Sequence, residues 1–215
     1  MRTIIAGGHG QIALRLAALM GKDAVGLVRN PDHVADVEAA GGSAIVCDLE
    51  HASVEEVTSL LAGADAAVFA AGAGPNSGAA RKDTVDRGAA VLLAEACERA
   101  GVRRIVQISS MGAGSPPDLS RGEVWAAYIT AKTAAEDDLR ARDLAWTILR
   151  PGRLTNSDPT GSVLLEPSVP GGSVPRSDVA AVVAELLRSG AGVGDTLELI
   201  SGPVPIHEAC ARYIH

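Results

Sequence analysis

Aromatic side chains are scarce in this chain. Its 215 residues hold one Phe, two Trp and two Tyr, 2% of the total, so alanine, valine and leucine must fill any core. Cysteine is scarce too. Cys47, Cys97 and Cys210 are odd in number, far apart and without metal-ligand spacing. They read as buried free thiols in a reducing compartment, not as a disulfide framework. His9, His33, His51, His207 and His215 are scattered, and their spacing marks no metal site. No run reaches the ~18 uncharged apolar residues of a membrane span. The apolar stretch after Met1 is too short for a secretory signal, so a cytoplasmic protein is expected. Positive charge is in deficit: 19 Lys and Arg against 26 Asp and Glu give −7. The basic surface that nucleic acid requires is missing. The expected partner is a small-molecule substrate, with no nucleic acid and no membrane; a monomer and a homodimer fit equally.

What is present is ordinary globular material. Hydrophobic residues make up 47% and charged residues 21%, which excludes wholesale disorder. At roughly 100–200 residues per domain, residues 1–215 form one domain. Short apolar runs lie at 3–6, 24–28, 44–47, 66–70, 104–108, 145–149 and 196–200. They do not alternate polar with apolar, as expected of parallel strands covered on both faces. Helical patterns fill the gaps at about 10–20, 31–40, 53–61, 83–100, 122–142, 176–189 and 206–213. Asn30-Pro31 reads as a helix start, Ser53-x-x-Glu56 as a capping box and Gly101 as a stop. Strand–helix alternation predicts an α/β, doubly wound fold: a parallel sheet of about seven strands with helices on both faces. Residues 155–175, rich in Pro and Gly, break the rhythm and read as a long loop with one short strand at 163–165.

The first strand runs straight into Gly7-Gly8-His9-Gly10-Gln11-Ile12-Ala13 and a helix. Gly8-x-Gly10-x-x-Ala13 and Gly7-x-x-Gly10-x-x-Ala13 are overlapping readings of one device. A turn without side chains lets backbone amides approach a pyrophosphate at a helix N-terminus. The end of the second strand selects the cofactor. No acid stands there to accept from a ribose 2′-hydroxyl; Arg29 would pair with a 2′-phosphate instead, predicting NADP(H) over NAD(H). Asp48, ending the third strand, either accepts from the adenine amino group or caps the next helix. Ala70, Ala71 and Gly72, ending the fourth, offer little bulk to a ribose.

Three features then fall at the carboxyl ends of later strands: Ser109-Ser110, Tyr128-x-x-x-Lys132 and Arg150-Pro151-Gly152. Residues four apart share a helix face. A nearby ammonium favours phenolate and lowers a tyrosine pKa of about 10. The phenol can then trade a proton with a substrate oxygen while a nicotinamide exchanges hydride with carbon. A serine hydroxyl can orient that oxygen. Asn76 and Arg81, after the fourth strand, are weaker candidates for substrate contact.

With these motifs in order, the chain resembles the short-chain dehydrogenase/reductase superfamily over nearly its whole length. Within it, the chain resembles the atypical NAD(P)H-binding members, described as NAD-dependent epimerase/dehydratase-like or NADH-flavin-reductase-like. The resemblance implies that Gly7, Gly10 and Ala13 form the pyrophosphate loop, with Gly8, His9, Gln11 and Ile12 beside the cofactor. It implies that Asp48 and Leu49 flank the adenine. Ser110, or less readily Ser109, orients the substrate. Tyr128 is the acid–base, Lys132 also holds the nicotinamide ribose, and Pro151 and Gly152 lie against the nicotinamide. The helix 83–100 holds no asparagine, so the superfamily's usual fourth catalytic partner is missing. The expected activity is NADP(H)-dependent oxidoreduction of a small carbonyl or quinone-like compound. A non-catalytic NADP(H)-binding sensor and a nucleotide-sugar epimerase or dehydratase are the alternatives. Only about 60 residues follow Pro151, few for the second of these; they form a small substrate cover on a core of residues 1–150.

Overall fold

A computed structural model of the chain describes residues 1–74 and 77–215; Asn76 lies outside them. The seven apolar runs become strands β1 (Thr3–Ala6), β2 (Ala24–Val28), β3 (Ser43–Val46), β4 (Ala66–Phe69), β5 (Arg104–Ile108), β6 (Ala145–Pro151) and β10 (Thr196–Ser201). Residues 155–175 are less of a loop than the Pro and Gly content predicts. They contain β8 (Ser162–Glu166) and β9 (Ser173–Pro175), and β7 (Arg153–Thr155) precedes them. Val204–Pro205 forms a short β11.

The main sheet has nine strands in the order β11-β8-β10-β6-β5-β4-β1-β2-β3. That corrects the expected seven. The two additions, β8 and β11, lie at one edge: β8 pairs antiparallel with both β10 and β11, and its alternating burial is that of an antiparallel strand. β7 and β9 form a separate parallel pair. β1 lies between β2 and β4, with Ile4 opposite both Val25 and Ala67. Every residue of β1, β2 and β4 is buried, which explains their unbroken apolar sequence.

Two helices, α1 (Gln11–Met20) and α7 (Arg176–Ser189), cover one face; α3 (Val54–Leu60), α5 (Ala90–Ala100) and α6 (Glu123–Arg140) cover the other. On the first face Leu16, Val183 and Leu186 meet Ile5 and Val106; on the second Leu93 and Leu139 meet Phe69 and Ile105. Burying each such side chain contributes about 1.5–3 kcal/mol. The local signals act as read. Ser53 accepts from the Glu56 amide at 3.2 Å. Asn30 accepts from the Asp32 amide at 3.1 Å, opening a short 3-10 turn before α2 (Val34–Ala39). Gly101 ends α5 at φ +73°, a conformation that suits only glycine without strain.

The segment before α5 is not a plain α-helix. A single turn, α4 (Ala79–Arg81), leads into a π-helical stretch, Lys82–Ala89. A final helix, α8 (Ile206–Ala211), packs against α7 and β8. No helix among the described residues is long and apolar enough to cross a membrane.

Candidate functional site

Two hollows open side by side at the carboxyl ends of the strands, where open α/β sheets take their ligands. The first, about 300 Å³, is bounded by Gly7, Gly10, Arg29, Asp48, Ala70 and Ala71. Its floor is made of close backbone contacts. Gly7 has φ +80°, and a Cβ there would sit 2.6 Å from the Ala71 Cα. A Cβ on Gly8 would sit 2.5 Å from the Gly26 Cα, and the Gly8 amide already donates to the Leu27 carbonyl at 2.9 Å. Gly8 therefore joins the turn to β2 and does not border either hollow. The Gly10 amide donates to the Gly7 carbonyl at 2.8 Å, closing the turn just before α1. The first-turn amides of α1 have no acceptor within the helix and carry its positive end. A side-chain-free cradle facing such an end fits a pyrophosphate. His9 and Leu49 border the same hollow. Gln11 is exposed at the start of α1, and Ile12 borders the second hollow.

The charges of the first hollow are mostly paired. Arg29 is exposed at its rim, with Nη1 3.3 Å from Glu50 Oε2. Arg81 forms an ion pair with the same carboxylate, and the Thr84 hydroxyl donates to it at 2.8 Å. Chiefly the Arg81 hydrogen bond lowers the Glu50 pKa to about 2. Arg81, a candidate for substrate contact from its place after the fourth strand, thus borders the glycine-loop hollow and not the larger one. Its position on α4, above the strand ends, aims it at Glu50. Asp48 borders the first hollow and does not cap the next helix, whose cap is Ser53. Its carboxylate accepts from the Glu50 amide at 3.1 Å and lies 3.0 Å from His51 Nδ1, holding the turn before Ser53. Burial, with Glu56 and Asp48 nearby, pushes the Cys47 thiol up to about 11, so it is no nucleophile near neutrality.

The second hollow, about 960 Å³, shares Ala70, Ala71 and Gly72 with the first. It is bordered by Ser110, Tyr128, Lys132, Pro151 and Gly152. Tyr128 and Lys132 stand on one face of α6, as their spacing predicts. The Lys132 ammonium is buried, 5.8 Å from the Tyr128 ring centre. It lies 3.3 Å from the Ile108 carbonyl and 3.3 Å from Asp86 Oδ1. Asp86 is itself buried, on the π-helical stretch, and its other oxygen accepts from the Ala73 amide at 3.2 Å. A carboxylate thus stands beside the lysine in a helix that holds no asparagine. An unpaired charge at that depth would cost several kcal/mol.

The two serines diverge. Successive side chains at a strand end point to opposite sides. Ser109 is buried, and its hydroxyl donates to Glu136 at 2.5 Å. Ser110 is half-buried on the hollow's wall, with a long 3.3 Å contact to the Met111 carbonyl. Burial alone would push Glu136 up. Hydrogen bonds from Arg150 and Ser109, with Arg140 beside them, hold it below the usual carboxylate range. This ionic cluster ties α6 to β6 behind the hollow. Pro151 and Gly152 are fixed by backbone bonds from Met111 to Pro151 at 3.1 Å and from Gly152 to Leu199 at 2.8 Å.

Several residues here escaped sequence reasoning: Asp86, Glu50, and the basic side chains Lys82, Arg121, Arg153 and Arg176 of the second hollow. Lys82 and Asp86 sit in the run Lys-Asp-Thr-Val-Asp-Arg, which resembles a solvated helix face.

Comparison with known proteins agrees with this geometry. The sequence model of a family described as NAD(P)H-binding matches residues 7–190. A Bacillus subtilis protein, "Uncharacterized sugar epimerase YhfK", is 33% identical, and the match covers 99% of this chain and 100% of that one. A solved Bacillus halodurans structure, whose name places it with the NAD-dependent epimerases/dehydratases, is 33% identical. It superposes with a TM-score of 0.89 over 99% of both chains. The structure of the oxidoreductase ylbE from Lactococcus lactis is 26% identical, with a TM-score of 0.86 over 100% of this chain and 99% of that one. The chain belongs to the NAD(P)H-binding family, in the atypical branch of the short-chain dehydrogenase/reductases.

Proposed function

We propose that the protein is an NADP(H)-dependent oxidoreductase acting on a small carbonyl or quinone-like substrate. The observation that carries this is the meeting of Ser110, Tyr128 and buried Lys132 on the wall of a large hollow continuous with the glycine-loop cleft. Gly7, Gly10 and the start of α1 hold the pyrophosphate. Ala70, Ala71 and Gly72 admit the ribose, Asp48 and Leu49 border the adenine, and Pro151 and Gly152 back the nicotinamide. When bound, the nicotinamide supplies hydride, two electrons, to the substrate carbon.

The chain's own residues manage the oxygen. The Tyr128 hydroxyl gives its proton to the carbonyl oxygen as that carbon is reduced to an alcohol. Lys132 stabilises the resulting phenolate electrostatically, and a proton from solvent restores the phenol. Ser110 donates a hydrogen bond to the same oxygen as its charge develops. Ser109 also borders the hollow, but its hydroxyl is engaged with Glu136, so it positions the wall. Asp86, the buried carboxylate beside Lys132, holds it in place. Residues 1–150 supply the cofactor site, and residues 151–215 close the substrate side as part of one domain.

Arg29 supports NADP(H): its remaining N–H groups at the rim suit a 2′-phosphate. Calorimetric titration is expected to show NADPH binding at least about tenfold tighter than NADH; equal affinities would remove the preference. An NADPH-consumption screen over aldehydes, quinones, flavins and nucleotide sugars tests the activity. Silence with tight NADPH binding would favour a sensor. The Bacillus subtilis relative's name supports a second reading, sugar epimerisation. Turnover of a nucleotide sugar without net cofactor consumption would establish it.

A further inference from the structure

The second hollow is basic in an acidic protein. Lys82, Arg121, Lys132, Arg153 and Arg176 border it, with Asp86 as the one acid. The chain carries −7 overall and has only three lysines, two of which stand here. Among the described residues, only Lys132 of these five is ion-paired, to Asp86. Elsewhere arginines are typically paired with carboxylates, as Arg29 and Arg81 are with Glu50 in the neighbouring cleft.

Lys82 is the sharpest case. It is 6% exposed, and the hydrogen bond described for its ammonium goes to the Gly74 carbonyl at 2.7 Å. Two further N–H groups remain on that nitrogen. Burying an ammonium on a neutral acceptor is unfavourable unless an anion joins it. Lys82 also stands 5.3 Å over the Tyr128 ring. Tyr128 is 5.5 Å from Trp125, and Arg121 stacks on Trp125 at 3.5 Å. The two aromatic rings are thus flanked by a cation on either side, and the proposed proton donor belongs to this row. Arg176 reaches a neutral partner, Asn156 Oδ1, at 2.9 Å, so its charge is not cancelled.

We propose that this hollow binds an anionic substrate, a carbonyl compound bearing a carboxylate or phosphate. The anion lies among Lys82, Arg121, Arg153 and Arg176, and the carbonyl lies at Tyr128. Only the carbonyl half rests on the oxidoreductase reading; the anion site stands on the charges alone. A neutral carbonyl of the same shape leaves Lys82 without its counter-ion and binds more weakly.

The test uses the full chain saturated with NADP⁺, which keeps anions off the glycine loop; that prior titration decides the cofactor reading separately. Phenylglyoxylate, its methyl ester and phenyl phosphate are then titrated calorimetrically. The expected result is binding of phenylglyoxylate or phenyl phosphate at least about tenfold tighter than the ester. The tighter of the two names the anion. Lys82→Met, and separately the combined Arg121→Gln, Arg153→Gln and Arg176→Gln variant on exposed or half-buried sites, should reduce the acid–ester difference to about threefold or less. If Lys82→Met does not fold, the arginine variant decides. Equal binding of acid, phosphate and ester overturns the proposal. So does an acid–ester difference unchanged in the variants, or no anion binding tighter than about 10 mM.

Discussion

The two hollows share one wall and are built in opposite ways. The cofactor cleft is made of backbone: glycines and alanines pressed together at distances that no side chain could enter, with its charges neutralised by one another. The larger hollow is made of side chains from α6, the π-helical stretch and the late strands, and most of its charges await a partner. The difference follows from what each must recognise. A dinucleotide is constant, so backbone amides and a fixed turn suffice. A substrate is read by its own shape and charge, and side chains can change without disturbing the fold.

The largest expected effect would break the backbone side of this comparison. Gly7→Val places a branched side chain at φ +80° against the Ala71 backbone. NADPH affinity should fall by about a hundredfold or more by calorimetry, with lowered thermal stability. Unchanged affinity would mean that the cleft is not the pyrophosphate site. On the side-chain side, Asp86→Ala leaves Lys132 buried without its carboxylate. It should cost about 3–5 kcal/mol in denaturant unfolding; a cost below about 1 kcal/mol would mean that water already solvates the lysine. Tyr128→Phe separates the two hollows functionally. Turnover should drop about 10²–10⁴-fold while NADPH affinity holds. If turnover persists, hydride reaches the substrate without this proton donor.

Arg29→Ala should reduce NADPH affinity about tenfold and leave NADH affinity nearly constant in parallel titrations. The smallest effect concerns Glu50. Its folded pKa is about 2 against an ordinary 4.5, so the stability it contributes is present above about pH 4.5 and fades as pH falls toward 2. In acid titrations followed by circular dichroism, Glu50→Gln should flatten that limb. An unaltered acid limb would show that the Arg81 pair adds nothing to stability.

The first half of the chain was highly legible. β1, β2 and β4 are buried on both faces, so their runs carry no charge, and the glycine turn follows directly on β1. The strands the sequence did not reveal are β7, β9 and β11, of two or three residues; a period cannot be read in so few. Asp178 shows how residues 155–175 become ordered without a core of their own. Its buried carboxylate accepts from the Thr160 hydroxyl at 2.8 Å and the Gly161 amide at 3.1 Å, pinning the segment to the start of α7. In the site, Tyr128 and Lys132 were legible because helical spacing alone brings them together. Asp86, Lys82 and Glu50 were not. Their partners lie 46, 8 and 31 positions away, and a buried charge in one dimension looks like a solvated one.

The π-helical stretch has a consequence for how this site can change by insertion or deletion. A widened turn accommodates one more residue than an α-helix of the same length. Removing one residue at Gly88, near its end, would let Lys82–Ala89 relax to α-helical winding. The same deletion in a plain α-helix would rotate what precedes it by about 100°. Here the widened turn gives up its extra residue, and Lys82 and Asp86 keep facing the hollow. The segment that carries both charges can thus lose a residue without turning either one away from the site.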